Sequence, residues 1–202
     1  MVGRLLHPPP QPREQTPGVS GVRAFVFLSG MRWMRERGYL EAFRRGVPER
    51  VFALTERTAP LEWVGLDESM TIYRALDALT LPLHEQEELG RFVSDANNGV
   101  IVSTMARLAG KLGVSPLRVV NRINSLWLRN NRGGAVAVYE LGETALRLEF
   151  WAVPFAVVPF FRASMCGAIA VGLEPFGKEL RVTEVPEHLE TDGFSLRVSW
   201  NG

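Results

Sequence analysis

The spacing of apolar residues changes character along the chain. Around Ser20 to Leu28 the string VSGVRAFVFL is almost continuously apolar and rich in Val and Phe, which predicts a short buried or edge strand leading into a helix. That helix is expected over Ser29 to Arg37, with Met31 and Met34 on one side, and Gly38 ends it. A second helical piece, Leu40 to Arg45, stops at Gly46 ahead of Pro48. The next runs from about Asp67 to Leu79, with Asp67 as N-cap, Glu68 in the first turn and Met70, Tyr73, Leu76 and Leu79 as its buried face. After Pro82, the residues Leu83, Leu89 and Phe92 anchor a further helix, which Asn97-Asn98-Gly99 is expected to stop or hinge.

Residues 116–132 predict one long amphipathic helix, capped by Ser115 with Pro116 at its first position. Val119, Val120, Ile123, Leu126 and Trp127 share one face, while Arg118, Arg122, Arg129 and Arg132 cluster on another. Past Gly133-Gly134 the period falls to two. AVAVYEL and TALRLEFW read as strands joined at Gly142-Glu143, with Val136, Val138, Leu146, Leu148 and Phe150 as the alternating apolar set. A helix is predicted from Pro159 to about Leu173, and ELRVTEV and FSLRVSW close the chain as two more strands. The last third is thus β-β-α-β-β.

Between Phe150 and Leu173 the only charge is Arg162, so this stretch belongs either to a membrane or to a core. Pro154, Pro159 and Arg162 leave Ala163 to Leu173 as the straight uncharged part, which rises about 17 Å against a hydrocarbon core of ~30 Å. The core reading follows, and no membrane span is expected. Ala163, Gly167 and Ala170 form a small-residue stripe that permits close approach of another element. Apolar residues cover most of the circumference, so the helix is buried on two sides: by the sheet, and by the N-terminal helices, a partner subunit or a hydrophobic ligand.

At 202 residues and 46% hydrophobic composition the chain supports one good core, assigned to 20–202. Residues 1–19 hold Pro8, Pro9, Pro10, Pro12 and Pro17, lack the apolar run of a secretory signal, and read as a disordered or polyproline tail. A net charge of +1 gives no global field for nucleic acid or anionic membrane. Cys166 is the single cysteine, which excludes a disulfide framework and fits a reducing, cytoplasmic setting.

Chemistry is sparse. His84 is the only histidine within a predicted helix, His7 and His188 lie elsewhere, and no metal site is expected. The acidic pairs and triplets at Asp67/Glu68, Glu85/Glu87/Glu88 and Glu187/Glu190/Asp192 read as helix starts and solvated loops, and Cys166 as a small buried hydrophobe, so no catalytic residue is assigned and the chain is not expected to be an enzyme. Leu108, Ala109, Leu112, Gly113, Val114, Ser115 and Val119 match helix-turn-helix core positions, which keeps a DNA-binding regulator using 105–124 as the alternative. Arg122 and Val120 break that pattern. The arginine set Arg118, Arg122, Arg129 and Arg132 remains open as a solvated face, an anion surface or a DNA contact.

The strings SGVRAFVFLSGMRWMRERG, SLWLRNNRGGAVAVYELGETALRLEF and MCGAIAVGLEPFG with LRVTEV and GFSLRVSW, from Gly21 to Trp200, carry a family likeness. The chain resembles a myxobacterial paralogous family of proteins of about this length, similar in turn to the 4-vinyl reductase (V4R) domain, the haem-dependent nitric-oxide-sensor domain and the TRAPP vesicle-tethering subunits. The resemblance implies an α+β fold, with helices packed on a four-stranded antiparallel sheet, enclosing an apolar cavity or pairing as a homodimer. Haem-binding members carry Tyr-x-Ser-x-Arg near the penultimate helix, where this chain reads Phe161-Arg162-Ala163-Ser164-Met165, and V4R-type members carry paired cysteines where it reads His188 to Gly193 without one. Neither haem nor another cofactor is therefore expected. The expectation is a non-catalytic sensory or adaptor domain in signalling or regulation. It would bind a small apolar ligand or a protein partner around Trp127, Trp151, Phe155, Phe160, Phe161, Met165 and Cys166.

Overall fold

The computed structural model describes residues 3–110 and 116–201, with the side chains of all of these but 98–110. A short strand, β1 (Arg4–His7), precedes β2 (Gly21–Arg23), α1 (Ala24–Arg37), α2 (Leu40–Gly46) and α3 (Glu49–Arg57). Next come β3 (Trp63–Gly65), α4 (Leu66–Asp77) and α5 (Leu83–Gly110), a helix of 28 residues. After α6 (Pro116–Val119), α7 (Ile123–Asn130) and β4 (Asn131–Arg132) the chain enters its β-β-α-β-β unit. That unit comprises β5 (Ala135–Gly142), β6 (Ala145–Trp151), α8 (Pro159–Leu173), β7 (Lys178–Glu184) and β8 (Phe194–Asn201).

The fold is α+β, as the resemblance implied, and the β-β-α-β-β order of the last third stands where the change of period put it. Its main sheet has the antiparallel order β1-β5-β6-β8-β7, and a smaller sheet, β3-β2-β4, joins the helical half to the corner before β5. Alternation does what it should: Val138, Leu148 and Leu196 fall opposite one another across three strands and are all buried. Two register positions along, on the same face, the rings of Phe150 and Phe194 stack at 4.5 Å. Arg147, Glu149 and Arg197 take the opposite face.

The apolar face of the sheet is closed by α8, and α8 is covered in turn by α5. Of the three covers expected for α8, the helical layer is the one present. A Cβ placed on Gly167 would overlap the Glu87 carbonyl, and one on Gly90 would overlap the Ser164 carbonyl, so the two backbones touch where both helices lack a side chain. Asp77 at the end of α4 accepts a hydrogen bond from Phe160 N at 2.8 Å and so satisfies an orphan donor in the first turn of α8, beside Pro159. Arg162 is paired: its Nε donates to Glu184 Oε1 at 2.7 Å and its guanidinium also donates to Ala156 O at 2.6 Å. No helix among the described residues is long and apolar enough to cross a membrane.

Several expectations are corrected by tertiary contacts. The sheet has a fifth strand because Arg4–His7, read as part of a disordered tail, pairs with β5, with Arg4 bridged to Glu140. The prolines beyond it cannot donate to a ladder, yet the segment stays fastened: Arg13 pairs with Glu190, Gly134 N donates to Pro17 O, and Val19 N donates to Ala152 O. The first helix begins at Ala24 instead of Ser29. α3 has no counterpart among the predicted elements. α4 is capped by Gly65, which leaves Asp67 in its first turn. α5 passes through Asn97 without stopping, because the Asn97 side chain donates back to Val93 O and accepts from Ser29 Oγ. Leu83, expected as an anchor, is 62% exposed. The single helix over 116–132 is broken by a 3-10 turn at Val120–Arg122; Asn124 there locks both its amide groups onto the backbone of Val136 at 2.6 and 2.9 Å. The proposed cap at Ser115 lies outside the described residues.

Gly90→Ala and Gly167→Ala are each expected to destabilise the protein by about 2 kcal/mol or more, lowering Tm by roughly 4–8 °C. Gly142→Ala, at the exposed end of β5 with nothing in reach of its Cβ, leaves Tm within about 1 °C in the same thermal melts. Equal melting of all three variants would show that the two helices do not touch through these glycines.

Candidate functional site

Beside the α5/α8 contact the helices and the sheet fail to close completely, and a cavity of about 170 Å³ remains. From the first half of the chain, Val22, Val26, Tyr73 and Val93 face it, with Ser94 and Asn97 on α5. Val119, Val120, Ile123, Leu126 and Trp127 form the next wall, so the apolar stripe read from the 116–132 periodicity faces the cavity even though the helix is broken. α8 supplies Phe161, Met165, Ala168, Ile169, Gly172 and Leu173, and Phe150 closes the side toward β6. Ala168 and Gly172 are one helical turn apart on α8. Like the Gly167 stripe they present no bulk, but no neighbour moves in to fill the space, and the gap persists.

Aromatic rings brace this wall. Phe161 meets Tyr73 edge-on at 5.0 Å, and Trp127 meets Phe150 edge-on at 5.5 Å. Trp127 Nε1 donates to Gly133 O at 2.9 Å, which fixes the indole. The corner beneath it needs glycine: Gly133 and Gly134 have φ of 95° and 66°. Burial drives the Tyr73 hydroxyl well above the usual phenol range, so it remains a neutral group. Besides Ser94, Asn97 and Asn131, two polar residues interrupt the lining. Arg122 reaches the cavity while its residue stays exposed, which places it at the mouth. Asn130 also lines the cavity, and its Oδ1 is buried with no hydrogen-bond partner.

Of the residues singled out in the sequence, Trp127, Phe161 and Met165 come together on this wall. The others do not. Phe155 and Phe160 are core residues, buried elsewhere. Trp151 lies on the far side of the sheet, 5.9 Å from the Arg13 guanidinium. Cys166 is buried on α8 outside the cavity lining. The arginine set disperses: Arg122 is at the mouth, Arg118 and Arg129 face solvent, and Arg132 lies 4.8 Å over the Trp63 ring, which Arg23 covers at 3.8 Å. Sequence reasoning missed Val22, Val26 and Asn130. The signal available for the first two was the four-residue spacing across the strand-to-helix join; Asn130 carried none.

The helix-turn-helix reading of 105–124 is overturned. Leu108 and Ala109 belong to the long α5, and Leu112, Gly113, Val114 and Ser115 lie outside the described residues. From Pro116 the chain forms a four-residue helix and a 3-10 turn, too short for a recognition helix, and Val120, which would face a groove in DNA, is 2% exposed and turned into the protein. Among the described residues no group of His, Cys, Asp and Glu could hold a metal ion. His84 is exposed on α5, and His188 lies 3.6 Å from Glu149 on the outer side of the sheet.

Desolvation, reinforced by Glu87 and Glu184, pushes the Cys166 thiol up to about 12. The folded state therefore favours the protonated form, and this contribution to stability is complete below pH ~9 and is lost as pH rises from there toward 12. Alkylation of Cys166 by iodoacetamide at pH 8 is expected to run about a thousandfold slower in the native protein than in denaturant, since only the thiolate attacks. Equal rates would place the thiol in solvent.

No protein-family profile and no curated protein matches the chain. Solved structures do. The fold is similar to that of an Fe(II) unliganded H-NOX protein from K. algicida, at TM-score 0.60 and 12% identity over 89% of this chain and 97% of that one. It is also similar to an oxygen-binding H-NOX domain related to soluble guanylate cyclases, at TM-score 0.58 and 15% identity over 89% and 95% of the two chains. A third likeness, at TM-score 0.58 and 15% identity over the same shares, is to a protein studied for haem redox potential under porphyrin distortion. These matches carry the haem-nitric-oxide-sensor side of the resemblance, and not its myxobacterial, V4R or TRAPP sides. The chain has the fold of H-NOX domains.

Proposed function

We propose that this chain is a sensory domain on an H-NOX-type scaffold, and that its cavity takes a small apolar ligand directly, without haem. The carrying observation is the cavity itself. At about 170 Å³ it is close to the ~150 Å³ apolar cavity that accepts benzene or xenon. A porphyrin, with four pyrrole rings, is far larger.

The donor set points the same way. Haem iron is held by His, Cys, Met or Tyr. None of the three histidines nor the one cysteine lines the cavity, and no histidine or cysteine occurs in 98–115. Among the described lining residues that leaves the Met165 thioether and the Tyr73 phenol, which burial keeps protonated, and the stretch 98–115 adds only the thioether of Met105. No Tyr-x-Ser-x-Arg string occurs anywhere in the chain. Haem, which belongs to the fold neighbour described by its porphyrin distortion, does not fit these residues.

Binding here is an event between two halves of one chain, because helices α1, α4 and α5 face α7 and α8 across the space. A ligand filling it adds contacts to both, and an occupied domain differs from an empty one in how firmly the halves hold together. That difference is the signal a sensory domain passes on.

Naphthalene at saturation is expected to raise Tm by several degrees in the wild-type protein, through preferential binding to the folded state. Ala168→Leu, which fills the cavity with a side chain, is expected to abolish that shift while leaving the unliganded Tm equal or higher. Haemin added in equimolar amount is expected to give no stoichiometric Soret band. A stoichiometric band that shifts with nitric oxide would overturn the proposal.

A further inference from the structure

The lining is not uniformly apolar: of its polar residues Asn97 and Asn131 are hydrogen-bonded within the chain, whereas Arg122 and Asn130 specify more than size. Among the described residues Arg122 is the one charged side chain on the wall, and no carboxylate among them lines the cavity or pairs with it. The stretch 98–115 contains no Asp or Glu that could do so. Arg122 both borders the cavity and is exposed, so it stands where the apolar interior meets solvent. Most other arginines that approach a partner here are neutralised or stacked: Arg4, Arg13, Arg37, Arg91 and Arg162 hold carboxylates, and Arg132 lies on Trp63.

We infer that the cavity is built for a small amphiphilic carboxylate, whose apolar body lies among Val26, Val93, Leu126, Phe161 and Ile169 and whose anionic head pairs with Arg122 at the mouth. This rests on the cavity-binding reading above and adds the class of ligand to it. The physical reason is the division of the site. A purely apolar molecule leaves the arginine facing an empty, partly desolvated rim, whereas a carboxylate supplies a two-pronged acceptor matched to the planar guanidinium. The head remains half-hydrated, so it avoids the cost of burying a charge, and the body gains from leaving water. Asn130 Oδ1, buried and unpaired on the same wall, leaves a place for one hydroxyl or N–H on the ligand body.

The test is calorimetry with two matched pairs, cinnamate against cinnamyl alcohol and octanoate against octanol, on the full chain and on Arg122→Ala. Arg122 is exposed, and its replacement leaves the packing intact, which an unchanged melting curve checks. Each acid is expected to bind at least about tenfold tighter than its alcohol, the scale of one charge-assisted hydrogen-bonded pair. Arg122→Ala is expected to remove that preference while leaving the affinity for the alcohols within about twofold, and added salt to weaken the acids alone. If acids and alcohols bind equally, or Arg122→Ala leaves the preference intact, the assignment of the head group is overturned and the cavity reading stands. If neither acid binds but naphthalene does, and Ala168→Leu blocks it, the head group is again overturned alone. If neither the four probes nor naphthalene binds, both readings fall.

Discussion

The architecture depends on one contact between bare backbones. Gly90 and Gly167 let α5 and α8 approach until the carbonyls of Glu87 and Ser164 occupy the space that side chains would need. α8 is apolar on nearly every side and could not remain exposed on its outer surface. With α5 pressed onto it, α8 becomes the middle of three layers: sheet, helix, helix. The cap that Asp77 gives to Phe160 N, and the bond from Arg162 to Glu184, locate α8 along its axis with respect to α4 and β7. The cavity is a by-product of the same geometry. Val93, Ser94 and Asn97 of α5 border the space from one side, and the small residues Ala168 and Gly172 of α8 do not refill it.

Legibility in the sequence depends on the range of the causes. The hairpin of β5 and β6, the start of α8 at Pro159 and the two closing strands are set by local alternation and by proline, and they stand where the pattern puts them. The features that mislead are decided at a distance. Arg4 joins the sheet through Glu140, which lies in a strand far along the chain. Asn97 looks like a stop signal but turns its amide back onto its own helix and meets Ser29. Asn124 breaks a regular amphipathic pattern because Val136 offers it both a donor and an acceptor.

The candidate site shows the same division. The stripe from Val119 to Trp127 is readable as an apolar face, but its period does not tell whether a helix or an empty space lies opposite. Phe155, Phe160 and Cys166 satisfy the same criterion of apolar character and are ordinary core. Aromatic density marks where a chain buries surface; it does not mark where it leaves room. The information about room resides in residues that are small, Ala168 and Gly172, and in one polar atom without a partner, Asn130 Oδ1. The likeness to H-NOX domains is one of fold, and the side chains of this chain decide what its cavity can hold.

The corner at Gly133 and Gly134 carries one further consequence. Both residues adopt backbone angles that other side chains resist, and a Cβ on the first would overlap the carbonyl of Gly18 while one on the second would crowd Val19 and Trp127. The indole that walls the cavity is hydrogen-bonded to Gly133 itself. Any rotation of this corner therefore carries Trp127 with it. The joint between the helical half and the sheet and the indole wall of the cavity share the same two peptide units.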